Sequence, residues 1–269
     1  MRTSRTKPLG IIVYGACGRM GQTVTRLVNG SSRLAISALV ERPDHPLIGR
    51  TIAGGSADPH EGHLLLDRIP AAATRTDIVI DFSTKESLGR LIEQISPLRL
   101  RLVCGTTGLD DGDRTALKEY ARRTAVLYDT NMSFGITVLK HLFRETHAIL
   151  GSAFDTEIIE VHHRHKKDFP SGTALSLARE VAAPEDIISG RGNEPARSRD
   201  KIHIHSVRAG GITGEHLIVF SSDEEVVTLS HSALSRDVFA RGALLAAEFL
   251  AARTRGLFSM KHVLEKKHA

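Results

Sequence analysis

The stretch LGIIVYGACGRMGQTVTRLVNGSSRLAISALVER, residues 9–42, decides the fold. It opens on a short apolar run that ends in glycine, continues as a helical stretch from Arg19 to about Asn29, and closes on a second β-like run, LAISALV, from Leu34. The order is β-α-β. Between the first strand and the helix, Gly15, Gly18 and Gly21 permit a tight turn and a close backbone approach to a pyrophosphate, which the helix N-terminus then faces. The spacing is GxxGxxG rather than the commoner GxGxxG. Its weight comes from the setting, because Glu41 stands at the end of the second strand, 20 positions after Gly21. A carboxylate there can accept hydrogen bonds from adenosine ribose hydroxyls, and the adjacent Arg42 can pair with a 2′-phosphate. The pair predicts that both NADPH and NADH serve. Without a ligand, the same residues would read as a turn and two solvated residues opening a loop.

Working outward, apolar runs at 78–82, 100–104 and 125–128 alternate with helix-like stretches beginning near Lys85 and Asp113. That alternation predicts a parallel sheet covered on both faces. The loops CGTTG (104–108) and DTNMS (129–133) end predicted strands, so Thr106, Thr107 and Asn131 are expected to offer small polar groups to the nicotinamide half of a cofactor. After Asn131 the rhythm changes to an apolar helix from Ser133 to Leu150, then strand-like runs DTEIIEVHH, KIHIHSV, GEHLIVFSS and EVVTLSH, with a helix from Ser171 to Val181 among them. A last helix, from about Asp237 to Ala252, has leucine and alanine at helical spacing and could return to the first domain. The expected architecture is α/β, with two parts. Residues 1–131 and 237–269 form a Rossmann-like dinucleotide-binding domain with a parallel sheet, and 132–236 form a second, α+β domain with an open mixed sheet. The polar loop 190–200 is the candidate mobile segment.

Composition limits the alternatives. A chain of 269 residues, 41% hydrophobic, can bury a sizeable core. Nothing near the start has the order of a signal peptide, and no apolar run approaches the roughly 20 residues of a membrane span, so the expected location is the cytoplasm and no membrane partner is expected. Cys17 and Cys104 are expected to be free thiols. The formal charge of +5 favours anionic partners. Scattered basic residues, 4% aromatics and no tryptophan argue against nucleic acid.

The chemistry concentrates in EIIEVHHRHKKDFPSGTA, residues 157–174. His162, His163, Arg164, His165, Lys166 and Lys167 end a strand-like run, and Ser171, Gly172 and Thr173 open a helix. This is an anion site: the helix start offers backbone N–H and hydroxyl donors, the cations supply charge, and a histidine can donate a proton near neutral pH. A solvated basic loop is the plainest alternative. A metal site would use His163 with His165, or His203 with His205, as neighbours on a strand face, but no carboxylate or cysteine completes a recognisable ligand set and none is expected.

Taken in order, GACGRMG, Glu41-Arg42, IDFS, CGTTG, HHRHK with SGTA, and VRAG…GEH resemble the dihydrodipicolinate reductase family over roughly residues 9–265. HHRHK followed by SGTA is the specific part; the glycine loop is shared with many dehydrogenases. The resemblance implies hydride transfer from NADPH or NADH to a cyclic dicarboxylate in the diaminopimelate and lysine route. It implies His162 as proton donor and Lys166 as second catalytic residue, with His163, Gly172 and Thr173 binding substrate. It also implies cofactor contacts from Gly15, Ala16, Cys17, Gly18, Arg19, Met20, Glu41, Arg42, Gly105, Thr106, Thr107, Asp129, Thr130, Asn131 and Met132. The family is tetrameric through the second domain's sheet, and its two domains close over the substrate. Met132 stands where the family usually has an aromatic residue, and Asp129-Thr130 depart from the small or proline residues usual there. Residues 50–66 match poorly. Two other functions remain open at this point: a different dehydrogenase, which would need no HHRHK…SGT site, and a silent dinucleotide sensor, which would bind cofactor without turnover.

Overall fold

A computed structural model of the chain describes residues 7–53, 62–191, 197–198 and 201–268. The backbone divides into two compact units, Met1–Ser133 with Phe239–Ala269, and Phe134–Val238.

In the first unit, β1 (Leu9–Tyr14), α1 (Arg19–Asn29) and β2 (Leu34–Val40) form where the apolar runs and the helical stretch predict them. Two short strands follow, β3 (Thr51–Ala53) and β4 (Gly62–Leu66). Then come β5 (Ile78–Asp81), α2 (Lys85–Ile95), β6 (Arg101–Cys104), α3 (Asp111–Ala121) and β7 (Ala125–Tyr128). Asp110 caps α3, its side chain accepting from Asp113 N–H while the Asp113 carboxylate accepts from Asp110 N–H, a reciprocal capping box.

The second unit holds α4 (Phe134–Leu150), β8 (Asp155–His162), α5 (Gly172–Ala178), β9 (Ile187–Ser189), β10 (Ile202–Arg208), β11 (Glu215–Ser221) and β12 (Val226–Ser232). Helix α6 (Asp237–Ala251) leads back to the first unit, which ends with β13 (Gly256–Phe258) and α7 (Met260–His268).

The first sheet runs β13-β7-β6-β5-β1-β2-β4-β3. Its pairs are parallel except β3 with β4, so the sheet expected to be parallel carries an antiparallel strand at one edge. Ile11, Ile12, Val13, Val79, Ile80 and Val103 are buried on both faces, as helices above and below require. Strand order reverses at β1, which has β2 on one side and β5 on the other; ligands of open α/β sheets bind beyond the strand ends at such a point.

The second sheet runs β12-β11-β8-β10-β9 and is mixed. Strands β8, β10 and β9 are parallel, and β11 is antiparallel to both β8 and β12. One face packs Ile158, Ile204, Ile218 and Phe220 against α4 and α5 through Ile136, Phe143, Ala174 and Leu177. Alternate residues of β8 point the other way, where Ile159 and Val161 are only half-buried. Helix α5 stops at Ala178 rather than the expected Val181, because the chain tightens there: Glu180 and Val181 N–H donate three residues back, to Leu177 and Ala178. Most of the loop 190–200 lies outside the described residues.

Candidate functional site

Two groups of residues come together, one in each unit. In the first, the glycine loop closes β1 onto α1. Gly15, at φ +77°, donates to Val40 carbonyl at 2.9 Å, and Ala16 donates to the same oxygen at 3.1 Å. Gly21, in the first turn of α1, lies so close to the loop that a Cβ there would be 2.1 Å from the Gly15 carbonyl oxygen. Glu41 braces the loop: Cys17 N–H donates to Oε2 and Arg42 N–H to Oε1, both at 3.0 Å. A cleft of about 490 Å³ opens here at the ends of β1, β2 and β5. Gly15, Cys17, Gly18, Glu41 and Arg42 line it together with residues that the spacing argument passed over, among them Tyr14, His45, Phe82 and Arg90. The close glycine approach at the start of α1 and the cations Arg42 and Arg90 fit a dinucleotide, although Gly15, Ala16, Cys17 and Gly18 N–H donate within the protein here.

The remaining expected cofactor residues sit at the ends of β6 and β7. Thr106 is buried, and its hydroxyl donates to Asp81 Oδ2 at 2.8 Å, so the side chain expected to face a nicotinamide is turned inward. Asp81 also accepts from Ser83 N–H at 2.9 Å, and its burial raises the carboxyl above its ordinary range. Thr107 is exposed. Asp129 accepts from Asn131 N–H and from Met260 N–H, and Asn131 from Ser133 N–H, so this loop is braced by its own side chains. Met132 is fully buried. Arg19 and Met20 belong to the first turn of α1.

In the second unit β8 ends on His162, and its neighbours converge on Glu160, which is wholly buried. Glu160 Oε2 takes His162 Nδ1 and Arg208 at 2.9 Å; Oε1 takes Arg208 at 2.8 Å and Ser171 N–H at 3.2 Å. Burial opposes the charge on Glu160, but His162 and Arg208 overcome it and hold the carboxyl well below the usual carboxylate range. His216, from β11, sets its ring edge-on to His162 with centroids 5.3 Å apart. Burial, then the nearby His162, lowers the His216 pKa to about 3. Gly214 approaches so closely that a Cβ there would be 3.0 Å from His162 Nε2.

Lys166 reaches Asp168 at 2.8 Å, so its ammonium has an anionic partner already. The Asp168 carbonyl accepts from Arg208 at 2.7 Å, which ties this loop to Glu160. The buried Nδ1 of His163 has no hydrogen-bond partner among the described residues, and burial, followed by the nearby Arg236 cation, lowers its pKa. Ser171 caps α5, its Oγ accepting from Ala174 N–H at 3.1 Å.

Two expectations need correction. The Ser171 N–H is not a free anion donor, because Glu160 accepts it. His163 and His165 do not share a strand face, because β8 ends at His162 and the chain turns. Among the described residues, no group of three His, Cys, Asp or Glu side chains is arranged to hold a metal ion. Glu160 carried a sequence signal, since residues two apart on a strand share a face and Glu160 and His162 are so spaced. Arg208 and His216 carried none without knowledge of which strands flank β8.

Comparison with known proteins gives a consistent result. Residues 9–132 match the family model "Dihydrodipicolinate reductase, N-terminus", and residues 135–264 match "Dihydrodipicolinate reductase, C-terminus". A 4-hydroxy-tetrahydrodipicolinate reductase of Anaeromyxobacter dehalogenans (strain 2CP-C) is 37% identical over 264 residues, 94% of this chain and 97% of the relative. One from Methanopyrus kandleri is 36% identical, over 95% and 96% of the two chains. The solved dipicolinate-bound dihydrodipicolinate reductase of Paenisporosarcina sp. TG-14 has the same fold, with a TM-score of 0.72, 22% identity and coverage of 94% and 98%.

Proposed function

From the premise that the chain belongs to the dihydrodipicolinate reductase family, we propose that His162 donates the proton and Lys166 assists in the reaction. The enzyme is a nicotinamide-dependent oxidoreductase that reduces 4-hydroxy-tetrahydrodipicolinate to tetrahydrodipicolinate in lysine (diaminopimelate) biosynthesis. The products differ from the substrate by one hydride and one proton gained and by the 4-hydroxyl lost as water. NADPH or NADH supplies the hydride when bound.

The protein's own part is to hold two anionic molecules and to move one proton. Gly15, Ala16, Cys17, Gly18, Arg19 and Met20 are assigned to the pyrophosphate, with Glu41 and Arg42 at the adenosine end. Gly105 to Thr107 and Asp129 to Met132 are assigned to the nicotinamide end. His163, Gly172 and Thr173 would hold the substrate carboxylates, with Lys166 leaving Asp168 to join them or to offset charge as it develops. Hydride addition to the conjugated ring leaves electron density that a proton must quench, and His162 is the acid beside the cations. The observation carrying this reading is the His162–Glu160 pair, buried within a cluster of cations at the end of β8.

The half-buried outer face of β8 supports assembly as a homotetramer through the second sheet, as the family resemblance implies. No helix among the described residues is long and apolar enough to cross a membrane, and we place the enzyme with the cytoplasmic cofactor pool.

The test is turnover of freshly generated 4-hydroxy-tetrahydrodipicolinate with NADPH and NADH in parallel, followed by nicotinamide oxidation. His162→Ala should lower kcat by about 10²–10⁴-fold, the usual contribution of a positioned acid. Turnover within a few-fold of wild type would remove His162 from the acid role, and no oxidation by wild type with either cofactor would remove the substrate assignment.

A further inference from the structure

We propose that Glu160 is the positioning residue of the proton donor, fixing the ring of His162 by Nδ1 so that Nε2 is the atom that gives up the proton. The inference rests on the reading of His162 as the acid.

An ionised carboxylate only accepts hydrogen bonds. Glu160 is ionised, held so by His162 and by the paired contacts of Arg208 at 2.8 and 2.9 Å. Its contact with His162 Nδ1 therefore requires a hydrogen on Nδ1. The working proton is left to Nε2, which stands on the side where Gly214 has no side chain. In the step, the Nε2–H bond breaks and a C–H bond forms on the reduced ring; neutral imidazole remains with its Nδ1–H on Glu160, and solvent restores the Nε2 proton.

The other groups around the ring agree with this assignment. On β10, Arg208 already balances the Glu160 charge, so the carboxylate can stay ionised whether or not His162 is protonated. On β11, His216 is neutral above about pH 3 and adds no competing charge. In the loop after β8, His163 is also disposed to the neutral form, and the Lys166 ammonium is offset by Asp168. Glu160 also takes Ser171 N–H and, through Arg208, fixes the Asp168 carbonyl, so one buried carboxylate sets the acid, the lysine loop and the start of α5.

Glu160→Gln preserves the shape and can still accept from Arg208, but it can present an N–H to Nδ1 and so favours the opposite tautomer. kcat should fall about 10–100-fold, with KM for NADPH within about twofold. A kcat within a few-fold of wild type, or a loss that lies in KM with kcat preserved, would reduce Glu160 to a packing role and overturn the proposal.

A measurement on the unaltered protein guards against a variant that fails to fold. With ¹⁵N-labelled histidine, and His162 assigned by loss of its signals in His162→Asn, the neutral ring should carry its hydrogen on Nδ1; a hydrogen on Nε2 would overturn the proposal directly. If His162→Ala is inactive and Glu160→Gln leaves kcat unmoved, only the role of Glu160 is lost. If His162→Ala is active, the acid assignment falls with it.

Discussion

His216 is 4% exposed, and its buried Nδ1 has no hydrogen-bond partner among the described residues. Burial lowers its folded-state pKa to about 3, whereas an unfolded histidine titrates near 6.5. Between those values the unfolded chain binds the extra proton, so stability rises with pH there and is lost as the pH falls from about 6.5 towards 3. The slope for one such group reaches about 1.4 kcal/mol per pH unit. Urea midpoints at pH 7, 6 and 5 should therefore decline more steeply for the wild type than for His216→Gln; equal slopes would mean that His216 is protonated in the fold. At this scale the sequence was half legible. The residues proposed here as the acid and its lysine, His162 and Lys166, stood out in HHRHK, and Glu160 was visible in principle two residues before His162. Asp81 was not, since nothing in IDFS says that its carboxylate turns inward to Thr106 and Ser83.

At the scale of elements, the crossing of β1 into α1 depends on the missing side chain at Gly21, where a Cβ would meet the Gly15 oxygen at 2.1 Å and the Ala16 Cα at 2.8 Å. Gly21→Ala must displace the loop or the helix. We expect a loss of about 1–3 kcal/mol of stability, as for other overpacked sites, and at least about tenfold weaker binding of both NADPH and NADH by fluorescence titration. Gly89→Ala, in α2 with nothing within 4 Å of its added carbon, is the control and should be neutral or stabilising by about 0.5–1 kcal/mol. Unchanged nucleotide binding in Gly21→Ala would mean that the close approach is not needed. The β-α-β unit was legible because a buried parallel strand is a continuous apolar run and a helix start needs room. Strands β3, β9 and β13 were not, because TIA, IIS and GLF are too short to hold a period and exist only through pairing with β4, β10 and β7.

For the whole molecule, the second sheet leaves Ile159 and Leu217 opposite one another and half-buried, with Val207 43% exposed on the same face. If this face joins copies of the chain, Ile159→Lys should convert a tetramer into smaller species by light scattering, while monomeric wild type would rule out the assembly. The presence of a second, mixed sheet beside the parallel one was legible from the change of rhythm after Asn131. The outer face of β8 was harder to read, because an alternating strand gives no sign of what covers its second side.

The first unit is discontinuous: Phe239–Ala269 belong with Met1–Ser133, and β13 extends the sheet beside β7. A chain emerging from its N-terminus presents β1 to β7 long before α6, β13 and α7 exist, whereas everything needed for the second unit is contiguous. The unit begun first is completed after the second, and until α6, β13 and α7 have been made the inner faces of its early elements must wait or be sheltered by chaperones.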